Sequence, residues 1–180
     1  MRGAKSISVA GYRAAFVALG LISGAAHAAP TTADVQIALV TPLSFIQYED
    51  LDFGRIIPSA TAGTVTISTT DVRTATNGIA LVGTDYQTAR FAGMGTQNQR
   101  VRIRITPTTI TLTGPGPSMT VDNFVIGPAP TLQQVGGSPN YRILPADGIF
   151  WFTVGGTLNV AANQPAGFYS GTFTATLDYQ

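Results

Sequence analysis

Beyond an apolar N-terminal run, hydrophobic and polar positions alternate in short bursts with turn residues between them. In ADVQIALV (33–40), Val35, Ile37 and Leu39 fall on one face of an extended chain and Asp34, Gln36 and Ala38 on the other. LDFGRII (51–57) and GTVTIST (63–69) follow, the second with Val65 and Ile67 sharing a face. Asn77-Gly78 is a hairpin-type dipeptide ahead of IALVG (79–83). RVRIRIT (100–106) predicts a strand with Arg100, Arg102 and Arg104 outward and Val101, Ile103 and Ile105 inward. TTITLT (108–113) and MTVDNFVI (119–126), separated by GPGPS, read as a hairpin-like pair. Gly127 to Asn140, rich in Gly and Pro, reads as one long loop. IFWFTV (149–154) is expected to stop at Gly155-Gly156, with TLNV (157–160) as a separate piece and GFYSGTFTATLDYQ (167–180) as the terminal strand. No stretch after the N-terminal run has helical periodicity, and many short strands with Thr-rich faces predict an all-β, two-sheet antiparallel β-sandwich without a second domain.

Charge and composition narrow the setting. Arg2, Lys5 and Arg13 precede or flank AAFVALGLIS, and AHA (26–28) supplies a small-x-small site, so residues 1–28 are expected to be a signal peptide cleaved before Ala29. The apolar run is too short to span a bilayer comfortably, and no membrane span is expected after cleavage. Residues 29–41 then form an N-terminal extension and 42–180 the sandwich. Of ten basic residues, three leave with the signal; the remaining seven are all Arg against nine acids, a net charge of −2. That is not the balance of a nucleic-acid binder. The mature chain contains no Lys, Cys or His, so an exported domain of this size must rest on its core and strand pairing.

The same absences remove most catalytic chemistry. Ser-His-Asp, Cys-His and Ser-Lys arrangements are excluded, and no catalytic residue, cofactor or metal site is expected. One carboxylate cluster survives: Glu49, Asp50 and Asp52, the last two expected on one face of a strand, as a glycosidase pair or Ca²⁺ ligands. Its spacing is not that of an EF-hand, and outward acids at a strand entry, the commoner arrangement, account for it better. The Arg100–Arg102–Arg104 ladder reads as the solvated face of a strand, or as a grip on an anionic surface. Trp151, the single tryptophan, is expected in the core between Phe150 and Phe152, with a sugar-stacking platform as the alternative.

The C-terminal strand places Tyr169, Gly171, Phe173, Ala175, Leu177 and Tyr179 on one face. With Gly167 fourteenth from the last residue and Tyr179 penultimate, it resembles the C-terminal signature of chaperone-usher pilus subunits. That resemblance implies an incomplete immunoglobulin-like fold whose final strand pairs with a periplasmic chaperone through Gly167, Phe173, Ala175, Leu177 and Tyr179. LDFGRI, MTVDNF, VGGTLNV and NQPAGFYSGTFTATLDY together resemble a family of secreted bacterial domains of unknown function, with whose start and ending those of spore-coat-protein-U-like and archaic pilin subunits are similar. Many pilins carry a Cys pair, and this chain has none.

The pilin resemblance also implies a donor strand at the other end, and Val35, Ile37 and Leu39 alternate as one would, ending at Pro42. Burying roughly four apolar side chains at about 1.5–3 kcal/mol each gives about 6–12 kcal/mol gross. The expected function is a structural subunit of a surface fibre, a homopolymer handled by a chaperone and an usher in the periplasm and displayed at the cell surface. A self-contained glycan-binding module is the alternative, because the same alternation would let residues 33–40 close the chain's own sandwich. A carboxylate-only glycoside hydrolase using Asp50 or Asp52 is a third reading.

Overall fold

The computed structural model describes residues 36–128, 130–137 and 139–180. The signal-peptide reading of 1–28, its cleavage site and Val35 lie outside the described residues. All strands belong to the unit Ala38–Gln180, and no helix forms among the described residues.

The larger sheet is organised around β12 (Ile149–Val160), the longest strand. One edge of β12 pairs through Ile149–Val154 with β6 (Ala89–Met94) and through Gly156–Val160 with β3 (Gly63–Ile67). Its opposite edge pairs with β9 (Met119–Gly127). β1 (Ser44–Glu49) lies outside β6, β4 (Arg73–Ala75) outside β3, and β8 (Ile110–Leu112) outside β9. The smaller sheet runs β10 (Leu132–Gln134), β11 (Asn140–Ile143), β7 (Arg100–Thr106), β13 (Thr174–Tyr179). β2 (Arg55–Ile57) and β5 (Ala80–Val82) form a separate ribbon. All pairings are antiparallel, and the architecture is the β-sandwich that the alternation predicts.

The even positions of β12 explain why one strand can serve so many partners. Phe150, Phe152 and Val154 enter a core shared with Phe91 of β6, Val101 and Ile103 of β7, and Tyr141 and Ile143 of β11. Leu158 and Val160, further along the same face, enter a second cluster with Val65, Ile67, Ile110 and Val121. The expected break at Gly155-Gly156 does not occur. A Cβ on Gly155 would collide with the Ile67 carbonyl oxygen, and one on Gly156 would crowd the Phe124 ring. The glycines are therefore what allows β3 and Phe124 to approach a continuous strand. Leu51, Phe124 and Phe173 touch both clusters and join them.

On its outer face β12 is stitched mostly by uncharged groups, with Asn159 Nδ2 also donating to the Asp122 carboxylate at 3.0 Å. Thr153 Oγ1 donates to the Thr69 carbonyl at 2.9 Å, Thr157 and Thr66 share a hydroxyl bond at 3.0 Å, and Asn159 Nδ2 donates to Thr120 Oγ1 at 3.2 Å. Where β12 has no strand beside it on the β9 side, the Thr131 hydroxyl accepts from Trp151 N–H and donates to its C=O. Trp151 itself is not in the core. It projects from the outer face and is 42% exposed, while Phe150 and Phe152 are fully buried, because the strand alternates strictly where an apolar run had suggested burial on both sides.

Other differences have similar local causes. Gln36–Leu43 carries no strand. LDFGRII is extended only at its end, since Gly54 takes φ +68° and Asp52 folds back to accept the Gly54 N–H. Asn77 and Gly78 both have positive φ, as a primed turn requires, but they link β4 to β5, strands that pair elsewhere. The long Gly/Pro loop contains β10, anchored by buried Leu132.

Phe152→Ala is expected to cost about 3–5 kcal/mol in urea unfolding, as for a fully buried aromatic. Trp151→Ala, on the outer face, is expected to cost well under half of that. Equal losses would place both rings in the core.

Candidate strand-acceptor edge

Sheet order defines the one position left vacant. β1-β6-β12-β9 is the order A-B-E-D of an immunoglobulin sandwich, and β7 and β13 stand as C and F. The place of strand G is the outer edge of β13, and among the described residues no strand pairs there.

An unpaired edge invites association unless something blunts it, and the other edges are blunted. β4, β8 and β10 are three residues each. β1 has a register shift between Gln47 and Glu49, and β9 beyond Val121 is kinked at Asn123, which has φ +50°. β13 is six residues long and pairs with β7 in unbroken register from Thr174↔Thr106 to Tyr179↔Val101. Among the described residues it is the long, regular edge that no strand covers.

Its inner face is apolar and only half-buried. Phe173, just before the strand, and Ala175, Leu177 and Tyr179 pack on the core from one side, and Leu43 and Phe45 from the β1 side. Between those rows lie buried Phe91 and Phe152, stacked at 4.8 Å, with Phe45 at 6.1 Å and Phe173 at 6.5 Å from Phe91. Val101 and Ile103, opposite on β7, are fully buried. Ile105, opposite Ala175, is itself half-buried, so the contrast between β7 and β13 lies at the Leu177–Tyr179 end.

The lower end of the edge is fixed by a hydroxyl clip. Tyr179 Oη accepts from Thr96 N–H at 2.8 Å and donates to the Thr41 carbonyl at 2.8 Å, while Thr41 N–H donates to Thr96 Oγ1 at 2.6 Å. The entry to β1, the turn after β6 and the end of β13 are thus tied at one point. Gly95 sits in this corner, where a Cβ would press on Tyr179 Oη, Leu43 and Ile143. Gly167 lies away from the edge, close enough to Pro115 that a Cβ would collide with its ring. It steers the approach to β13 and does not share the row of Phe173, Ala175, Leu177 and Tyr179. Tyr169 likewise packs in the second cluster.

The residues expected to form a donor strand are exposed or not described. Ile37 is 83% and Leu39 87% exposed, and neither is in a strand. Val35 lies outside the described residues.

The carboxylates do not assemble into a pair. Asp52 caps Gly54 N–H, Asp50 accepts from Gln47 Nε2 at 2.7 Å, and Glu49 lies 3.0 Å from Arg90 Nε in an ionic contact without hydrogen-bond geometry. Arg90 also reaches Asp71 at 2.6 Å. Burial pushes the Asp71 carboxyl up, but hydrogen bonds from Thr88 N–H, Arg90 and Thr88 Oγ1 outweigh it and hold the group below its ordinary value of 3.8. Among the described residues no cluster of three or more acids, His or Cys could hold a metal ion.

Fold and edge together define a class: an all-β antiparallel sandwich in which, among the described residues, no strand pairs with the outer edge of β13. The family model for a domain of unknown function, DUF4402, matches residues 43–179, and the chain belongs to that family. The match begins at Leu43 and ends at Tyr179, both of which lie beside Gly95. No curated protein and no solved structure matches the chain.

Tyr179→Phe is expected to cost about 1–2 kcal/mol, since it strands the Thr96 donor and the Thr41 acceptor; a change within error in thermal or urea unfolding would remove the clip. Asp71, whose folded pKa is depressed, contributes stability that is present above its unfolded value and lost as pH falls through the folded one. Wild type is therefore expected to lose more stability than Asp71→Asn on acidification below about pH 4, as read from thermal midpoints of the two across that range.

Proposed function

We propose that this protein is a structural subunit of a bacterial surface fibre, completed by a strand from another molecule at the β13 edge. The observation that carries the reading is the edge of β13, uncovered among the described residues, with half-buried Phe173, Ala175, Leu177 and Tyr179 facing a core that fully buries Val101 and Ile103 opposite the last two. β-Augmentation supplies affinity through main-chain hydrogen bonds and specificity through alternate side chains, and the edge offers both.

The donor is the N-terminal extension of a like subunit, with Val35, Ile37 and Leu39 on its inner face. Three such side chains contribute about 4.5–9 kcal/mol gross before ordering costs. Before assembly, a periplasmic chaperone strand occupies the same edge and an usher exchanges it. Export through a cleaved signal peptide belongs to this reading. Gly167 acts in it by directing the chain onto the edge.

A second reading keeps one observation in its favour. Trp151 at 42% exposure, with Ile46, Met94 and Ile149 exposed on the neighbouring rows, is the platform a self-contained glycan-binding module would use.

The deciding experiment compares three versions by thermal unfolding and size exclusion. One is residues 29–180, one begins at residue 41, and one carries residues 29–40 behind a flexible linker at the C-terminus. The fibre reading expects the first to form ladders or aggregate and the third to be a monomer with a raised thermal midpoint. A first version that is already a stable monomer, with no gain in the third, would favour the glycan-binding module. Leu177→Arg, which puts a charge on the inner face of the edge, is expected to abolish surface display.

A further inference from the structure

The outer face of the smaller sheet gathers four of the seven arginines that follow residue 28. Arg100, Arg102 and Arg104 recur every second residue along β7, about 6.8 Å apart, and Arg142 of β11 lies directly opposite Arg100. Like charges directly across a sheet oppose pairing. One carboxylate answers them: Asp178, opposite Arg102 and 3.9 Å from Arg104. Arg102 Nε finds only the Asn140 side-chain oxygen at 3.4 Å, and Arg142 Nε is buried with no hydrogen-bond partner.

The three other arginines are engaged: Arg55 with Asp85, Arg73 with main-chain carbonyls, Arg90 with Asp71. The sheet therefore holds a +3 surface, four arginines less one aspartate, on a chain whose sequence after residue 28 sums to −2.

We propose that this face binds an acidic polysaccharide, a polymer with a carboxylate, sulfate or phosphate repeated along its chain. The guanidinium fork pairs bidentately with such planar or tetrahedral oxyanions, and a row along one strand suits a repeating ligand better than a single ion. The surroundings point the same way. Gln133 stands opposite Arg142, Asn140 opposite Arg102 and Thr176 opposite Arg104, so amides and hydroxyls that can bond sugar oxygens flank each arginine. The face has no aromatic ring on which a nucleic-acid base could stack and no apolar side chain to enter a bilayer. This inference uses the outer face of the sheet and stands whether or not β13 receives a strand.

The test measures binding of the purified full-length protein to immobilised polygalacturonate and dextran sulfate, with neutral dextran and poly-dT as comparisons, at low and high salt. Wild type is expected to bind one or both acidic polymers in a salt-dependent way and to ignore neutral dextran. Arg102→Gln with Arg104→Gln, and separately Arg100→Gln with Arg142→Gln, should each weaken binding at least about tenfold. Arg55→Gln, removing one arginine elsewhere, should not. The thermal midpoint of the Arg100/Arg142 double variant should equal or exceed that of wild type, since it relieves a like-charge pair. Acidic polymer should raise the midpoint of wild type but not of the Arg102/Arg104 variant. Retention of both polymers by the double variants, or no binding by wild type, would overturn the proposal. Tighter binding to poly-dT than to either polysaccharide would overturn it too, in favour of a nucleic-acid surface. Binding to dextran sulfate alone would support it and identify sulfate or phosphate as the anion.

Discussion

The sandwich depends on the unbroken inner face of β12. From Phe150 to Val160 its even residues pass through one hydrophobic cluster and into a second, and every strand of the larger sheet pairs with β12 or with a neighbour that does. A twelve-residue strand can do this only if its middle stays slim, because Ile67 and Ser68 approach from one side and Phe124 from the other. Gly155 and Gly156 meet that requirement. Two residues that read locally as a stop are, in three dimensions, the condition for continuing.

Around that strand the remaining edges follow a simple division. Edges that lie beside solvent and have no role in pairing are short, bulged or kinked. β13 alone combines length, unbroken register and a half-buried apolar face. Its neighbours hold it firmly at Tyr179 and at Phe173, whose ring lies 5.3 Å from that of Phe124. On the fibre reading proposed above, an edge held in this way would need no reordering to accept a strand.

Much of this was legible in the chain. The alternation in RVRIRIT gave β7 with its faces correctly assigned, and the terminal alternation gave β13 and its inner row. What escaped was set by tertiary context. β6 is interrupted by Gly93, which must be small because the Phe150 ring lies against it, so its pattern is diluted. β10 hides in a Gly/Pro loop because one buried residue, Leu132, is enough to fix three. Trp151 was misassigned because an apolar run carries no phase, and only pairing reveals which side is inward. The Thr41–Thr96–Tyr179 clip joins residues far apart in sequence through hydroxyls and main-chain groups, for which periodicity offers no signal.

The hydroxyl and amide stitching on the outer face of β12 has an environmental consequence. Asn159 ties the strand to Thr120 and to the Asp122 carboxylate, while Thr66 with Thr157 and Thr69 with Thr153 hold it without a formal charge. Such uncharged bonds are not screened by dissolved ions and do not titrate in the range where carboxylates and histidines do. The threonine part of this seam would hold equally in fresh water, in brine and in mild acid, leaving charged contacts such as Asn159 with Asp122 and Arg90 with Asp71 to register the medium.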